Sequence, residues 1–168
     1  MQLLVIRHAK AEDALDFARS GQSEALRPLT ESGRKKMQRA AAGLLSEVEF
    51  IDVLAASPLL RARQTADIVA EAYVGRVVME LDALAPGGDP DELLEWLRGH
   101  SDVSVVAIVG HEPSLGELIG RLLCGRDESV IALKKGAVCL LDLDPDVTPG
   151  KARLVWSLTA SQLASLKV

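Results

Sequence analysis

The sequence predicts an α/β fold: a three-layer α/β/α sandwich on a mostly parallel sheet, with an antiparallel hairpin added at the C-terminal edge. Three observations carry this expectation. Short continuous apolar runs, typical of strands buried on both faces, alternate with segments whose apolar residues recur at helical spacing. Helix-start signals stand between them, at Ser57-Pro58 and Asp89-Pro90. After Ser129 the helical periodicity gives way to two strand-like runs around a turn-rich segment.

The elements follow in order. Leu3-Leu4-Val5-Ile6 reads as a buried strand. Residues 9–32 form a long polar connection, and long loops in compact domains often carry function. A helix starts near Thr30, with Met37, Ala40, Ala41, Leu44, Leu45 and Val48 on one stripe. Residues 52–56 give the second strand. Ser57-Pro58 reads as N-cap and first-turn proline of a helix that runs to about Tyr73 and buries Ala62, Ala66, Val69 and Tyr73. Residues 76–79 form a short strand. Asp89-Pro90-Asp91-Glu92 opens another helix, its acids at the positive end of the dipole. Residues 103–109 are the most strand-like segment. Pro113 begins a helix with Leu115, Leu118, Ile119, Leu122 and Leu123 on its stripe. Residues 137–143 and 153–158 form the edge hairpin.

Composition narrows the function. The length of 168 residues predicts one domain, residues 1–168. With 48% hydrophobic and 26% charged residues, the chain is neither disordered nor fibrous. Aromatics at 3% leave the core to Leu, Val, Ile and Ala. A net charge of −5 argues against nucleic-acid partners, which need a cationic field and stacking platforms. Cys124 and Cys139 lie in apolar stretches and read as buried free thiols of a reducing compartment. No basic leader and no run of about 20 apolar residues stands in the sequence. The expectation is a soluble cytoplasmic protein without membrane contact, of a size that permits a monomer.

The chemistry-bearing residues leave the carboxyl ends of the strands, where open α/β sheets bind ligands. The first strand ends in Arg7-His8-Ala9, the second in Ser57-Pro58 followed by Arg61 and Gln64-Thr65, and the 103–109 strand in Gly110-His111-Glu112-Pro113. If these strands are neighbours, two imidazoles and two guanidiniums surround one point. Guanidinium forks match phosphate oxygens, and Arg61 adds a helix N-terminus to its charge. A neutral imidazole is a competent nucleophile toward phosphorus, and a protonated second one stabilises the transferring group. Adjacent arginines repel a metal cation, and the histidines lack metal-ligand spacing, so no metal or other cofactor is expected.

These motifs, with Arg27-Pro28-Leu29-Thr30…Gly33 and Leu84-Ala85-Pro86-Gly87-Gly88-Asp89, resemble the histidine phosphatase superfamily. The chain is similar to its short single-domain phosphohistidine phosphatases of the SixA type, and the resemblance covers nearly the whole chain in order. It implies a phosphoglycerate mutase-like fold, His8 as the phosphorylated nucleophile, and Arg7, Arg61 and His111 as the phosphate pocket, with Ser57 at its edge. It implies no metal and a phosphohistidine protein as substrate. Ala9 stands where the superfamily usually has glycine. Ala14 stands where larger sugar-phosphate relatives place a polar residue, which weakens a mutase reading.

The proton donor has three candidates, Glu112, Glu80 and Asp82, and a fourth reading in which no donor is needed because imidazole leaves phosphorus readily. A small phosphomonoester or pyrophosphate metabolite is the rival substrate, and a non-catalytic phosphate-recognition module the rival class. His100 reads as a solvated loop residue, Arg63 as solvent-facing, and Lys134-Lys135 as an exposed pair able to meet an acidic protein partner.

Overall fold

The computed structural model describes residues 1–166. Its sheet has six strands: β1 (Gln2–Arg7), β2 (Val53–Ala56), β3 (Val78–Glu80), β4 (Val105–Gly110), β5 (Val138–Asp142) and β6 (Arg153–Leu158). They lie in the order β3-β2-β4-β1-β5-β6. The first four are mutually parallel; β5 and β6 run antiparallel and form the edge hairpin.

Strand alternation divides the core into two layers. Leu4, Ile6, Leu54, Ala56, Ala107 and Val109 face α2 (Glu31–Leu44), α3 (Leu60–Ala72) and α6 (Ala160–Leu163). Leu3, Val5, Ala55, Val106 and Ile108 face α4 (Pro90–Arg98) and α5 (Ser114–Cys124). The fold is the expected α/β/α sandwich. Helix starts follow local chemistry. The Thr30 hydroxyl accepts the Gly33 N–H at the start of α2, and Asp89 accepts the Asp91 N–H ahead of Pro90.

Four expectations need correction. Ser57 is not an N-cap: α3 starts at Leu60 with Leu59 as the cap residue and no side-chain cap bond. Ser57 still belongs to the sheet edge, its N–H donating to the Val109 carbonyl, and Pro58 falls in the turn. Cys124 is exposed, because it ends α5 just before the left-handed Gly125; Cys139 is buried. Arg63 is half-buried and paired with Glu80. His100 lies against Trp96, with ring centroids 4.3 Å apart and Nδ1 bonded to the Trp96 carbonyl. Glu80 lies 17 residues from Arg63 and is brought to it by the sheet, whereas Trp96 precedes His100 by one helical turn.

The 9–32 connection is folded. It contains α1 (Ala14–Ala18) and a 3₁₀ turn over Glu24–Leu26, and an Ala11–Leu29 bridge closes its base. No helix among the described residues is long and apolar enough to cross a membrane.

Candidate active site

Sheet register assembles the site. Arg7 pairs with Gly110 across β1 and β4, and Ala56 pairs with Val109 across β2 and β4. His8, Ser57 and His111 therefore leave three adjacent strands at the same level. The rings of His8 and His111 lie 5.1 Å apart, and both residues are about 95% buried.

The backbone around His8 is fixed from several sides. The His8 N–H donates to the Gly110 carbonyl at 3.0 Å. The Ala9 N–H donates to the buried Thr65 hydroxyl at 3.0 Å, and that hydroxyl donates to the Arg61 carbonyl at 2.7 Å. The Gly136 N–H reaches the carbonyls of both Arg7 and His8 at 3.1 Å, from a backbone with φ of +74° that suits glycine. At Gly33 a Cβ would lie 2.2 Å from the Lys10 carbonyl oxygen, so glycine lets α2 pack directly on the chain after the nucleophile.

One contact sets the proton on His8. Its Nδ1 lies 2.7 Å from the Ala9 carbonyl. A carbonyl only accepts, so Nδ1 carries the proton and Nε2 keeps a free lone pair. Burial lowers the His8 pKa to about 4, against the pull of the Ala9 bond and with help from Arg61, Arg7 and Lys135. His8 is thus a neutral base at pH 7.

His111 is also neutral. Burial foremost, then His8, Arg61, Arg27 and Arg7, push its pKa down to about 3. In the free site His111 is therefore not the imidazolium expected from sequence. A neutral donor takes its place. Nε2 shares a 2.8 Å hydrogen bond with the Ser57 hydroxyl, whose oxygen also accepts the Leu59 N–H. With the hydroxyl donating to Nε2, the ring proton resides on Nδ1, which is buried and unpartnered.

The arginines are anchored at one end and open at the other. Arg7 donates from Nη1 to the Leu133 carbonyl at 2.6 Å. Arg61 donates from Nη1 to the Glu24 carbonyl at 3.2 Å and lies 3.4 Å from the Glu24 carboxylate. In both, Nε is buried and unpartnered. Burial and the nearby Arg27 lower the Arg61 pKa. Buried polar groups are normally satisfied, so unpartnered donors from three elements mark a place for an acceptor. Arg63 Nε shares this status, but its guanidinium serves the Glu80 contact.

The candidate proton donors are placed differently. Both oxygens of Glu112 accept backbone amides, from Leu133 at 2.7 Å and from Gly116 at 3.2 Å. Glu80 ends β3 and pairs with Arg63. Asp82 is exposed in a 3₁₀ turn. Among the described residues, no side-chain hydrogen bond joins any of the three to His8 or His111.

Two participants carry no role in the sequence reading. Arg27, in the 9–32 connection, bonds both oxygens of Glu24 through Nε and the Glu12 carbonyl through Nη1, and is close enough to depress His111. Thr65 ties the nucleophile loop to α3. Both stand inside quoted motifs, Arg27-Pro28-Leu29-Thr30 and Gln64-Thr65, but only the fold shows what they touch. No group of three or more His, Cys, Asp or Glu side chains suited to a metal is found among the described residues.

Comparison with known proteins gives the family. Residues 3–84 match the profile of the histidine phosphatase superfamily, branch 1. A protein of uncharacterised activity from Picosynechococcus sp. is 36% identical over 141 residues, covering 82% of each chain. The phosphohistidine phosphatase SixA of Escherichia coli K12 is 28% identical over 170 residues, covering 99% of each. A solved structure of the protein histidine phosphatase SixA with tungstate superposes with a TM-score of 0.81 at 27% identity, covering 97% of this chain and 99% of that one. The chain belongs to the histidine phosphatase superfamily and is a phosphatase of its SixA-type branch.

Proposed function

We propose that the protein hydrolyses phosphohistidine on a protein substrate through a phosphoryl intermediate on His8. The observation that carries this reading is the set of buried, unpartnered donors of Arg7, Arg61 and His111 beside a neutral His8 whose Nε2 lone pair is free. The donors meet the phosphoryl oxygens, and charge growing on those oxygens in the transition state falls on groups already oriented.

The steps balance. The Nε2 lone pair of His8 attacks phosphorus as the P–N bond to the substrate imidazole breaks. That imidazole, protonated at its distal nitrogen, leaves neutral with the bonding pair. Water then attacks phosphorus of phospho-His8, the P–Nε2 bond breaks, and its electrons return to His8. The water proton goes to the departing inorganic phosphate. Neither step needs a carboxylic acid, because imidazole is a far better leaving group than alkoxide.

Two considerations favour a protein substrate. Imidazole as leaving group fits a site in which Glu112 and Glu80 are committed elsewhere. The E. coli relative is a phosphohistidine phosphatase, and the tungstate-bound relative a protein histidine phosphatase. The test is a panel of a phosphohistidine protein, phosphomonoesters and pyrophosphate-linked metabolites, assayed with chelator present against wild type and His8→Ala. The reading expects the highest kcat/KM on phosphohistidine and a loss on the order of 10⁴-fold in the variant. A metabolite that outruns every phosphohistidine substrate replaces the substrate assignment. Phosphoprotein binding without turnover replaces the enzyme with a recognition module.

A further inference from the structure

A cleft of about 310 Å³ opens directly beside the nucleophile. Its walls include Ala9 and Lys10, the two residues after His8, together with Gly33, Lys36 and Met37 of α2, and Lys135. Its floor is apolar, with Ala9, Met37 and Ala160 buried. Its rim is cationic: Lys10, Lys36 and Lys135 are all exposed. Among the described residues none of these lysines has an ion-pair partner. Asp13, the acid that acts on Lys135, already caps α1 through the amides of Leu15 and Asp16. Glu31, at the start of α2, is paired with Lys35.

The chain as a whole carries a net charge of −5, yet this face gathers unneutralised lysines next to Arg7 and Arg27. The phosphoryl chemistry uses neither Lys10 nor Lys36. Like charges kept together at a cleft mouth cost stability and raise the local concentration of anions.

We propose that this cleft docks an acidic segment of the substrate protein, adjacent in sequence to its phosphohistidine. Carboxylates meet Lys10, Lys36 and Lys135, and an apolar side chain rests on Met37 and Ala160. This inference rests on the phosphohistidine reading above. The reach is short: an extended chain advances about 3.3–3.6 Å per residue, so residues roughly two to four positions from the phosphohistidine enter the cleft. A substrate with nothing beyond its phosphoryl group leaves the cleft unused.

The test compares equal-length histidine peptides phosphorylated with phosphoramidate, one flanked by Glu and Leu and one by Lys and Leu, with free phosphohistidine as reference. Wild type should favour the acidic peptide by about tenfold in kcat/KM at low ionic strength. Salt should erase most of that preference, since the Debye length falls to about 8 Å near 0.15 M. Lys10→Gln/Lys36→Gln, two exposed changes, should bring the peptides within about twofold while turnover of free phosphohistidine stays within the same margin. Lys10→Glu/Lys36→Glu, which leaves only Lys135 positive on a net-negative rim, should turn the preference toward the basic peptide. Equal wild-type rates on both peptides, with free phosphohistidine hydrolysed, overturn the docking inference alone. Turnover of p-nitrophenyl phosphate without hydrolysis of any phosphohistidine compound overturns the substrate reading and this inference with it.

Discussion

Thr65→Val removes a single hydroxyl from a fully buried side chain and nearly preserves its shape. That hydroxyl accepts the Ala9 N–H and donates to the Arg61 carbonyl. The carbonyl loses little, because it sits one helical turn before Thr65 and keeps its intrahelical bond. The Ala9 amide loses its side-chain partner in a buried setting, which costs about 1–3 kcal/mol. For a domain of this size 1 kcal/mol moves Tm by about 2–4 °C, so a mid-range loss of about 2 kcal/mol lowers Tm by about 4–8 °C. Activity falls for a related reason. The Ala9 carbonyl, in the following peptide, holds the His8 ring through Nδ1, so an Ala9 backbone no longer tied to α3 lets that carbonyl shift and misaims Nε2. Displacements near 1 Å cost up to about 100-fold, and a drop in kcat of about 10- to 100-fold is expected with KM little changed. The assay pairs thermal unfolding with steady-state hydrolysis of p-nitrophenyl phosphate at a temperature where both proteins are folded. Thr65→Ser, which keeps the hydroxyl, should recover most of the activity. A valine variant with unchanged Tm and kcat, or a serine variant as damaged as the valine one, would refute this reasoning.

Four further outcomes follow from the same geometry. In the free protein His8 must be neutral to attack, so kcat/KM, corrected for substrate ionisation, should stay level from pH 7 to 5 and fall below its pKa of about 4; a midpoint near 6.5 contradicts the buried, neutral nucleophile. Stability should decline as pH falls below 6.5, because the unfolded imidazoles then bind protons that buried His8 and His111 refuse until about pH 4 and about pH 3. At about 1.4 kcal/mol per pH unit, His8 alone accounts for roughly 3 kcal/mol across that window, and His8→Asn should weaken the dependence of Tm on pH while His111 keeps its own share. Inorganic phosphate or tungstate should relieve the repulsion among Arg7, Arg27 and Arg61: at about 100 times Kd the stabilisation is about 2.7 kcal/mol, read as a rise in Tm that Arg61→Ala abolishes. Glu112→Gln should lower stability by about 1–2 kcal/mol through its two amide contacts while leaving kcat on a phosphohistidine substrate within about twofold; a large loss in kcat assigns Glu112 a role in proton transfer.

Much of this arrangement was legible in the sequence because its causes are local or periodic. The apolar runs at residues 3–6 and 103–109 read as strands buried on both faces; β1 and β4 fall there, β4 over Val105–Gly110, and a histidine directly follows each strand. Asp89-Pro90 marked a helix start, and so it is. What stayed hidden depends on pairings between distant segments. Ser57-Pro58 looks like a helix cap within its own stretch; its hydroxyl is claimed instead by His111, 54 residues away. The protonated second histidine was a fair expectation for an exposed imidazole, and burial among cations reverses it. Glu112 looks like an acid beside a catalytic histidine, yet the Leu133 and Gly116 amides occupy its oxygens. Arg27 and Thr65 were visible as motif letters without roles, since a role needs the folded 9–32 connection and the first turns of α3.

The central claim is a covalent bond between phosphorus and His8, and rapid-quench trapping tests it most directly. Enzyme mixed with labelled phosphohistidine substrate and quenched in base should carry one phosphoryl group per chain, stable to alkali, lost in acid, and mapped to the peptide containing His8 by mass spectrometry. It should be absent from His8→Ala. A phosphoryl group on any other residue, or full turnover with no phosphoenzyme formed at rates that match kcat, contradicts the account.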